Sequence, residues 1–592
     1  MERNEQLKEN IWDLGSLCRN EKEWARDMKK LEKRIPELKA LKGTLGESVD
    51  SLLKAYQTLE SFFIELERLG SFAFLQYEAD STNPEVMKRA GMVDALEAKV
   101  GEATSFLDPE LLALSDDFIK TALKDRRMKP YKVAIEKSRR FKEHVLSEKE
   151  EQLLSYFSPV SGGFREAYMD LDNADIDFGE FEGEHLTHSS YAKWIRSEDE
   201  DVRRRAYLQF YKGYESHQHV IARLYGGSIK KDIFTAKARG YRSSLEKALF
   251  PDKVNPKVYR NLIKSIHEAF PVLHHYYEVK ARCLGKDKLK HYDVYMNMVP
   301  DMKVSYKYDD AVELIRKAVA PLGKEYQDTL CAGLTTEHWV DKYENKGKRS
   351  GAFSAGCFTG KPYILTNYQE EVLNSVFTLI HEGGHSMHSY YSVRNNPFMS
   401  YNYTIFEAEV ASTTNEQLLA NYLIDNTEDR ELKKYIIASN LDDIVGTLFR
   451  QTMFAEYELI CHEAAENGTP LTVDFFRTTY RNLLEQYFGP AVEFEECSDL
   501  EGLRIPHFYN AFYTYKYATG ISAAIALSQR VLNGGDRERE DYLGFLKSGG
   551  STYPINSLKK AGVDMSTPEA IKAATDRFAM LLKTFEELNF ND

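Results

Sequence analysis

Three residues within 376–392, "VFTLIHEGGHSMHSYYS", have the types and spacing to hold and use a metal ion: His381, Glu382 and His385. The run reads as helix. Positions four apart on a helix differ by about 40° in azimuth and about 6 Å in height, so both imidazoles can turn a nitrogen toward one ion. Glu382 falls about 100° from His381 and about 60° from His385, at the edge of the same face. From there a carboxylate can reach a water on the metal without ligating the metal itself. H-E-x-x-H on a helix is the pattern of metal-dependent peptide hydrolysis. With 15 histidines in 592 residues, chance supplies about 0.03 such matches per chain. A surface helix with incidental histidines would also leave unexplained why Gly383 and Gly384 sit in mid-helix, each at a cost of about 1 kcal/mol relative to alanine.

A catalytic zinc takes three protein ligands and keeps a fourth position open. His388 faces the side of His381 but stands about 10 Å further along the axis, too far to share the ion. A further histidine at position 391, which would make a longer zinc motif, is absent, because that residue is Tyr391. The acidic candidates lie in "TIFEAEVASTTNEQLLANYLI" (404–424). Glu407 and Glu409 differ by about 200° on that helix, so at most one of them serves. Glu409 shares a face with Glu416, seven positions on, and that pairing suits one ligand with one carboxylate behind it. A ligating histidine normally gives its other ring hydrogen to such a carboxylate.

The elements that must position these residues are mainly helices. From Glu5 to about Tyr156 the chain is amphipathic helix, with a capping box at Ser147 to Glu150. "SPVSGG" (158–163) and the alternating "DIDFGEFEGEHLTHSSYAKWI" (175–195) predict loops and a short hairpin. The division is placed there, with a helical N-terminal lobe over 1–185 and the metal-bearing region over 186–592. A second capping box, "SEDE" from Ser197 to Glu200, restarts helix, which then fills most of the chain. The exception, "GAFSAGCFTGKPYILTNY" (351–368), is rich in glycine and then in strand formers, and predicts a small sheet beside the His381 helix. Its "PYILTNY" is expected to be an edge to which an extended peptide can add.

A formal charge of −14 argues against nucleic-acid binding. The basic stretch 124–145 is interleaved with apolar residues at helical spacing and reads as a solvated face. Six cysteines lie far apart with no paired motif, which fits reduced thiols in a cytoplasmic protein. Neither a signal peptide nor a membrane-spanning run is evident. Cys357 reads as a small buried hydrophobe, and His274 and His275 as structural. Oligomeric state is not legible.

The segments "HEGGHSMHSYYS", "IFEAEVASTTNE", "RQTMFAEYEL" (450–459) and "IPHFYNAFYTYKYATG" (505–520), in that order, resemble the oligoendopeptidase F branch of the thimet-oligopeptidase-like zinc peptidases. The likeness spans roughly 190–580. It implies a mainly α, two-lobed ellipsoid with a deep substrate channel, one zinc ion, and cleavage of short unstructured peptides. It settles the third ligand as Glu409, since the family's carboxylate ligand opens a helix about two dozen residues after the second histidine. Gly384 matches the family's usual glycine and is read as letting the Glu409 helix pack against the clamp. Gly383 departs from the family, where a larger residue is usual, and is read only as leaving room above the ion for substrate.

The resemblance also implies that a histidine and tyrosines of 505–520 hydrogen-bond the substrate carbonyl and the oxyanion. These roles carry over to His507 and Tyr515, and to Tyr509 and Tyr513. The expected chemistry is hydrolysis: zinc acidifies a water, Glu382 takes its proton and delivers it to the leaving amine, and the 505–520 donors stabilise the oxyanion. Two rivals stand beside this. One is a non-catalytic peptide-binding protein with a structural metal, which would not need Glu382. The other is an aminopeptidase, which would need a carboxylate placed for a free amine.

Overall fold

Helix forms wherever the sequence sets apolar residues three and four apart, and strands are confined to seven short pieces among the described residues. The computed structural model describes residues 1–300, 302 and 304–590. Contacts group the chain into two units, each discontinuous in sequence. The first comprises Met1–Glu143, Lys303–Tyr422 and Leu527–Gly562, and the second His144–Met302, Leu423–Ala526 and Val563–Asp592.

In the first unit, the long helix Val49–Ala79 packs against Pro84–Thr104. Their apolar faces, with Leu38, Leu52, Phe62 and Leu69, form a core that extends to Tyr363 and Leu365. The three-stranded sheet has Tyr363–Leu365 in the middle, parallel to Val340–Asp341 and antiparallel to Phe353–Ala355. The expectation that "PYILTNY" supplies an edge is therefore corrected. The N–H groups of Ile364 and Thr366 go to the carbonyls of Trp339 and Asp341, both at 2.9 Å, while Tyr363 and Leu365 pair with Ala355 and Phe353. With both sides of Tyr363–Leu365 taken, the open edge is Phe353–Ala355. Trp12 packs on the rings of Phe353 and Tyr363, tying the N-terminal segment to the sheet.

The helix carrying His381 and His385, Leu373–Asn395, lies against that edge strand on one side and against Asp536–Ser548 on another. Ser354 Oγ and Ser386 Oγ are 2.8 Å apart across the strand contact. The helix carrying Glu409 runs from Ile405 to Asn426.

The second unit corrects two local readings. "SPVSGG" is no loop, since Glu148–Asp170 runs as helix straight through it. The reason is tertiary: Phe164 packs on Gly227 of the helix Glu200–Ala238, where a Cβ would stand 2.4 Å from the ring. That packing outweighs the local cost of Pro159, Gly162 and Gly163. The helix Glu200–Ala238 is capped by Asp199, whose carboxylate accepts from Asp201 N–H at 2.9 Å, and not by Ser197. The hairpin does form, Glu180–Phe181 against Glu184–His185. Glu182 and Gly183 at its tip both have positive φ, as a two-residue turn between twisted strands requires.

Candidate metal centre

His381 and His385 stand one helical turn apart with their rings 4.8 Å centre to centre and 83° between planes. Each has a partner on the Glu409 helix. Glu416 Oε1 lies 2.7 Å from His381 Nδ1, and the Ala408 carbonyl accepts a hydrogen bond from the His385 ring. Both Nε2 atoms turn toward Glu409. Glu409 Oε2 is 3.7 Å from His381 Nε2 and 3.9 Å from His385 Nε2. In a tetrahedral zinc site with bonds of about 2.0–2.1 Å, ligand atoms stand roughly 3.3–3.5 Å apart, so two nitrogens and a carboxylate oxygen at this spacing fit a zinc-sized cation. Among the described residues this trio is the group of three that meets metal-ligand spacing, with its ligand atoms within 4.8 Å of one another.

Charge and burial agree with that reading. Burial opposes a charge on His381, but the hydrogen bond and charge of Glu416, with Glu382 and Glu409 nearby, outweigh it and raise the group to about 9. A cation held at Nε2 would take the place of that second proton. Burial, with His381 beside it, pushes His385 down to about 3 and keeps it neutral. Burial also raises Glu409, against the pull of His381. Three carboxylates around two imidazoles, largely withdrawn from solvent, form a set that a divalent cation would stabilise.

Glu407 turns the other way. It is buried, with its carboxylate accepting from Ser557 Oγ and from the N–H and hydroxyl of Thr404. It closes the first turn of its own helix and has no path to the histidines.

The two mid-helix glycines have separate reasons. A Cβ on Gly384 would stand 2.6 Å from Ser412 Cα and 2.8 Å from the Ala411 carbonyl oxygen, both backbone of the Glu409 helix. Glycine here sets how closely the third carboxylate approaches the histidines. A Cβ on Gly383 would meet Leu330 Cδ1 at 3.0 Å. Gly383 thus faces the packed helix Lys324–Leu334, which corrects the reading that it leaves room for substrate. Gly384→Ala is expected to cost about 1–3 kcal/mol of stability through overpacking and to lower zinc content. Gly383→Ala is expected to stay within about 1 kcal/mol, because a helix gain of that size offsets a small shift of Leu330. Thermal melting and metal analysis of the two purified variants check this.

Glu382 is 7% exposed. It accepts the N–H of Ser354 on the edge strand, while its Oε2 is buried without a partner among the described residues. Burial lifts its carboxyl to about 7, opposed by His381 and reinforced by Glu409 and Glu416. That is the range in which a carboxylate can both take and return a proton near neutral pH. His381, Glu382 and Glu416 line one wall of a cleft of about 550 Å³, with Phe377 and Thr378 one turn earlier and Ala352, Thr366 and Asn367 beside the sheet.

The 505–520 segment belongs to the second unit. His507 is exposed and Tyr513 half-buried; their rings are 6.2 Å apart and both lie near Tyr517, at 6.1 and 5.4 Å. Tyr509 is buried and stacks on Tyr168 at 4.5 Å. Tyr515 is fully enclosed, its ring 5.1 Å from Tyr259. Tyr517, in the first turn of the helix Tyr515–Asn533, was not among the expected donors.

Cys357 is buried in the core of the first unit, where burial pushes its thiol up to about 11. His275, read as structural, lies between Glu278 and Glu586 at 3.1 and 2.9 Å. His388 is buried and stacks on Tyr403 at 3.6 Å. Among the described residues no helix is long and apolar enough to cross a membrane.

Residues 194–577 match the profile of Peptidase family M3, and 110–178 that of Oligopeptidase F. The chain is 42% identical over 589 residues to an oligoendopeptidase F homolog of Borreliella burgdorferi, covering 99% of each. It is 40% identical to oligopeptidase PepF of Bacillus subtilis, covering 99% of this chain and 88% of that one. Among solved structures, one from Chlamydophila abortus superposes with a TM-score of 0.94 at 38% identity over 99% of each chain. The oligoendopeptidase-F of Enterococcus faecium superposes at 0.74 and 32% identity, over 96% of this chain and 99% of that one.

Proposed function

This chain belongs to peptidase family M3 and is a metallopeptidase, and from that premise we propose that it is a zinc-dependent endopeptidase acting on internal bonds of short, unstructured oligopeptides. The observation that carries the reading is the meeting of His381 Nε2, His385 Nε2 and Glu409 Oε2 beside the unpartnered Glu382 oxygen.

His381, His385 and Glu409 would hold the ion. When bound, it supplies Lewis acidity, polarising the scissile carbonyl and acidifying water. Glu416 keeps His381 in the tautomer that presents Nε2, and the Ala408 carbonyl holds the His385 ring. Glu382 accepts a proton from the attacking water as the new C–O bond forms, and returns it to the leaving nitrogen as the C–N bond breaks. Its second oxygen stays on Ser354 N–H, which fixes the carboxylate through both transfers. An extended peptide can lie along the open edge of Phe353–Ala355, recognised through backbone groups there other than the Ser354 N–H that Glu382 holds, and broad tolerance of side chains follows. His507 and Tyr513, joined by Tyr517, are the donors assigned to the carbonyl and its oxyanion. The enclosure of Tyr509 and Tyr515 supports a packing role for those two.

The test is a peptide of about ten residues with both ends blocked, offered beside the same sequence in a surface loop of a stable protein, with products read by mass spectrometry. Internal cleavage of the peptide and survival of the loop are expected. Failure to cut the blocked peptide, with trimming of an unblocked one, would replace this reading with an exopeptidase, and rapid cleavage of the loop would refute the restriction to unstructured peptides.

A further inference from the structure

Glu458 is a fully buried carboxyl that the chemistry above does not use. It lies on the helix Arg450–Glu466, in the "RQTMFAEYEL" segment, and is 0% exposed. No lysine or arginine pairs with it among the described residues. Its two oxygens both go to the loop that carries Tyr513: Oε1 lies 2.8 Å from the backbone nitrogen of Phe512, and Oε2 lies 2.9 Å from Thr514 Oγ1. One carboxyl group therefore grips the residues on either side of Tyr513.

The grip falls where the backbone needs it. Phe512 has φ +59°, in the left-handed region, where a bulky side chain costs on the order of 1–3 kcal/mol. The Phe512 ring is buried against His462 at 4.5 Å and Tyr259 at 5.7 Å, so the residue cannot relax by turning outward. The left-handed step at Phe512 and the enclosed Thr514 fix the direction in which the chain leaves the short helix Pro506–Tyr509 and enters the helix Tyr515–Asn533. That direction brings His507, Tyr513 and Tyr517 into one ring cluster.

We propose that Glu458 is a positioning residue that holds the strained turn at Phe512 so that His507, Tyr513 and Tyr517 converge as hydrogen-bond donors to the substrate. The proposal rests on the role given above to His507 and Tyr513. Burial, against the pull of the Phe512 N–H and the Thr514 hydroxyl, pushes the Glu458 carboxyl up to about 8. One oxygen accepts from Phe512 N–H and the other accepts from the Thr514 hydroxyl. Glutamine keeps the shape and the acceptor for Phe512 N–H, and its amide N–H can donate to Thr514 Oγ1 once that hydroxyl turns, whereas alanine removes both contacts.

The experiment compares Glu458→Gln, Glu458→Ala and Thr514→Val with His507→Ala, all zinc-loaded, measuring kcat, KM and zinc content on the blocked peptide. Glu458→Gln is expected within about threefold of wild-type kcat. Glu458→Ala is expected to lose tenfold or more in kcat, because misplaced oxyanion donors act on the transition state and each is worth about 10² or more. Its KM is expected to change less than about threefold and its zinc content not at all. Should Glu458→Ala fail to fold, Thr514→Val, which removes one of the two hydrogen bonds, is expected to lose about three- to tenfold in kcat. Wild-type kcat in a folded Glu458→Ala, or in Thr514→Val when Glu458→Ala does not fold, overturns the positioning role, as does an equal loss in Glu458→Gln and Glu458→Ala. If His507→Ala also leaves kcat unchanged, the donor role of the 505–520 segment falls with it. If His507→Ala is slow while Glu458→Ala is not, only the positioning role falls.

Discussion

Glu382→Gln is expected to hold its metal and to lose nearly all turnover. The three metal-facing side chains are untouched by the change, and the amide oxygen can still accept Ser354 N–H, so the edge strand and the helix keep their contact. What disappears is a group able to take a proton from water and hand it on. General-base contributions run about 10² to 10⁴ in rate, so a loss in that range is expected in kcat on the blocked peptide, with zinc content equal to wild type. A variant that retained more than about a tenth of the wild-type rate would rule out Glu382 as the base.

The second large effect separates two glutamates two residues apart. Glu409→Ala removes a carboxylate whose oxygen stands 3.7 and 3.9 Å from the two Nε2 atoms. Loss of a supporting residue behind a ligand typically costs 10- to 100-fold in metal affinity, and loss of the ligand itself is expected to exceed about 100-fold. Glu407→Ala is expected to do the reverse. It leaves Ser557 Oγ and Thr404 N–H without their buried acceptor, a cost of roughly 1–3 kcal/mol in stability, with zinc retained. Metal analysis after dialysis and thermal melting read the two axes independently. Equal zinc content in the two variants would contradict the ligand set.

Those two glutamates show what the sequence makes legible. Helical geometry alone separates Glu407 from Glu409 and puts Glu416 on the side of Glu409, because side-chain direction on a helix is fixed by spacing. The same holds for His381 and His385, and for the mainly helical fold that carries them. The sheet is harder to read. Nothing local to "PYILTNY" reveals that its second side is taken by Val340–Asp341, a pairing set by tertiary structure and not by strand propensity. "SPVSGG" misleads for a related reason, since the ring of Phe164 on Gly227, more than sixty positions away, keeps the segment helical. Gly384 could be read as a close approach because a neighbouring helix was already needed there, but Leu330, the partner of Gly383, lies on a helix that no motif connects to the metal residues. In the 505–520 segment, ring types alone do not distinguish an enclosed Tyr515 from an accessible Tyr513. The distinction depends on a left-handed turn at Phe512, a residue whose type gives no sign of it.

The most direct measurement strips the metal with a chelator, returns zinc in substoichiometric steps, and follows both bound zinc and cleavage of the end-blocked peptide. The expected result is no internal cleavage in the stripped protein and a rate that rises in proportion to bound zinc, reaching its limit at one ion per chain in wild type and failing to recover in Glu409→Ala. Full cleavage by the stripped protein, or recovery in Glu409→Ala equal to wild type at equal added zinc, would contradict a zinc endopeptidase built on His381, His385 and Glu409.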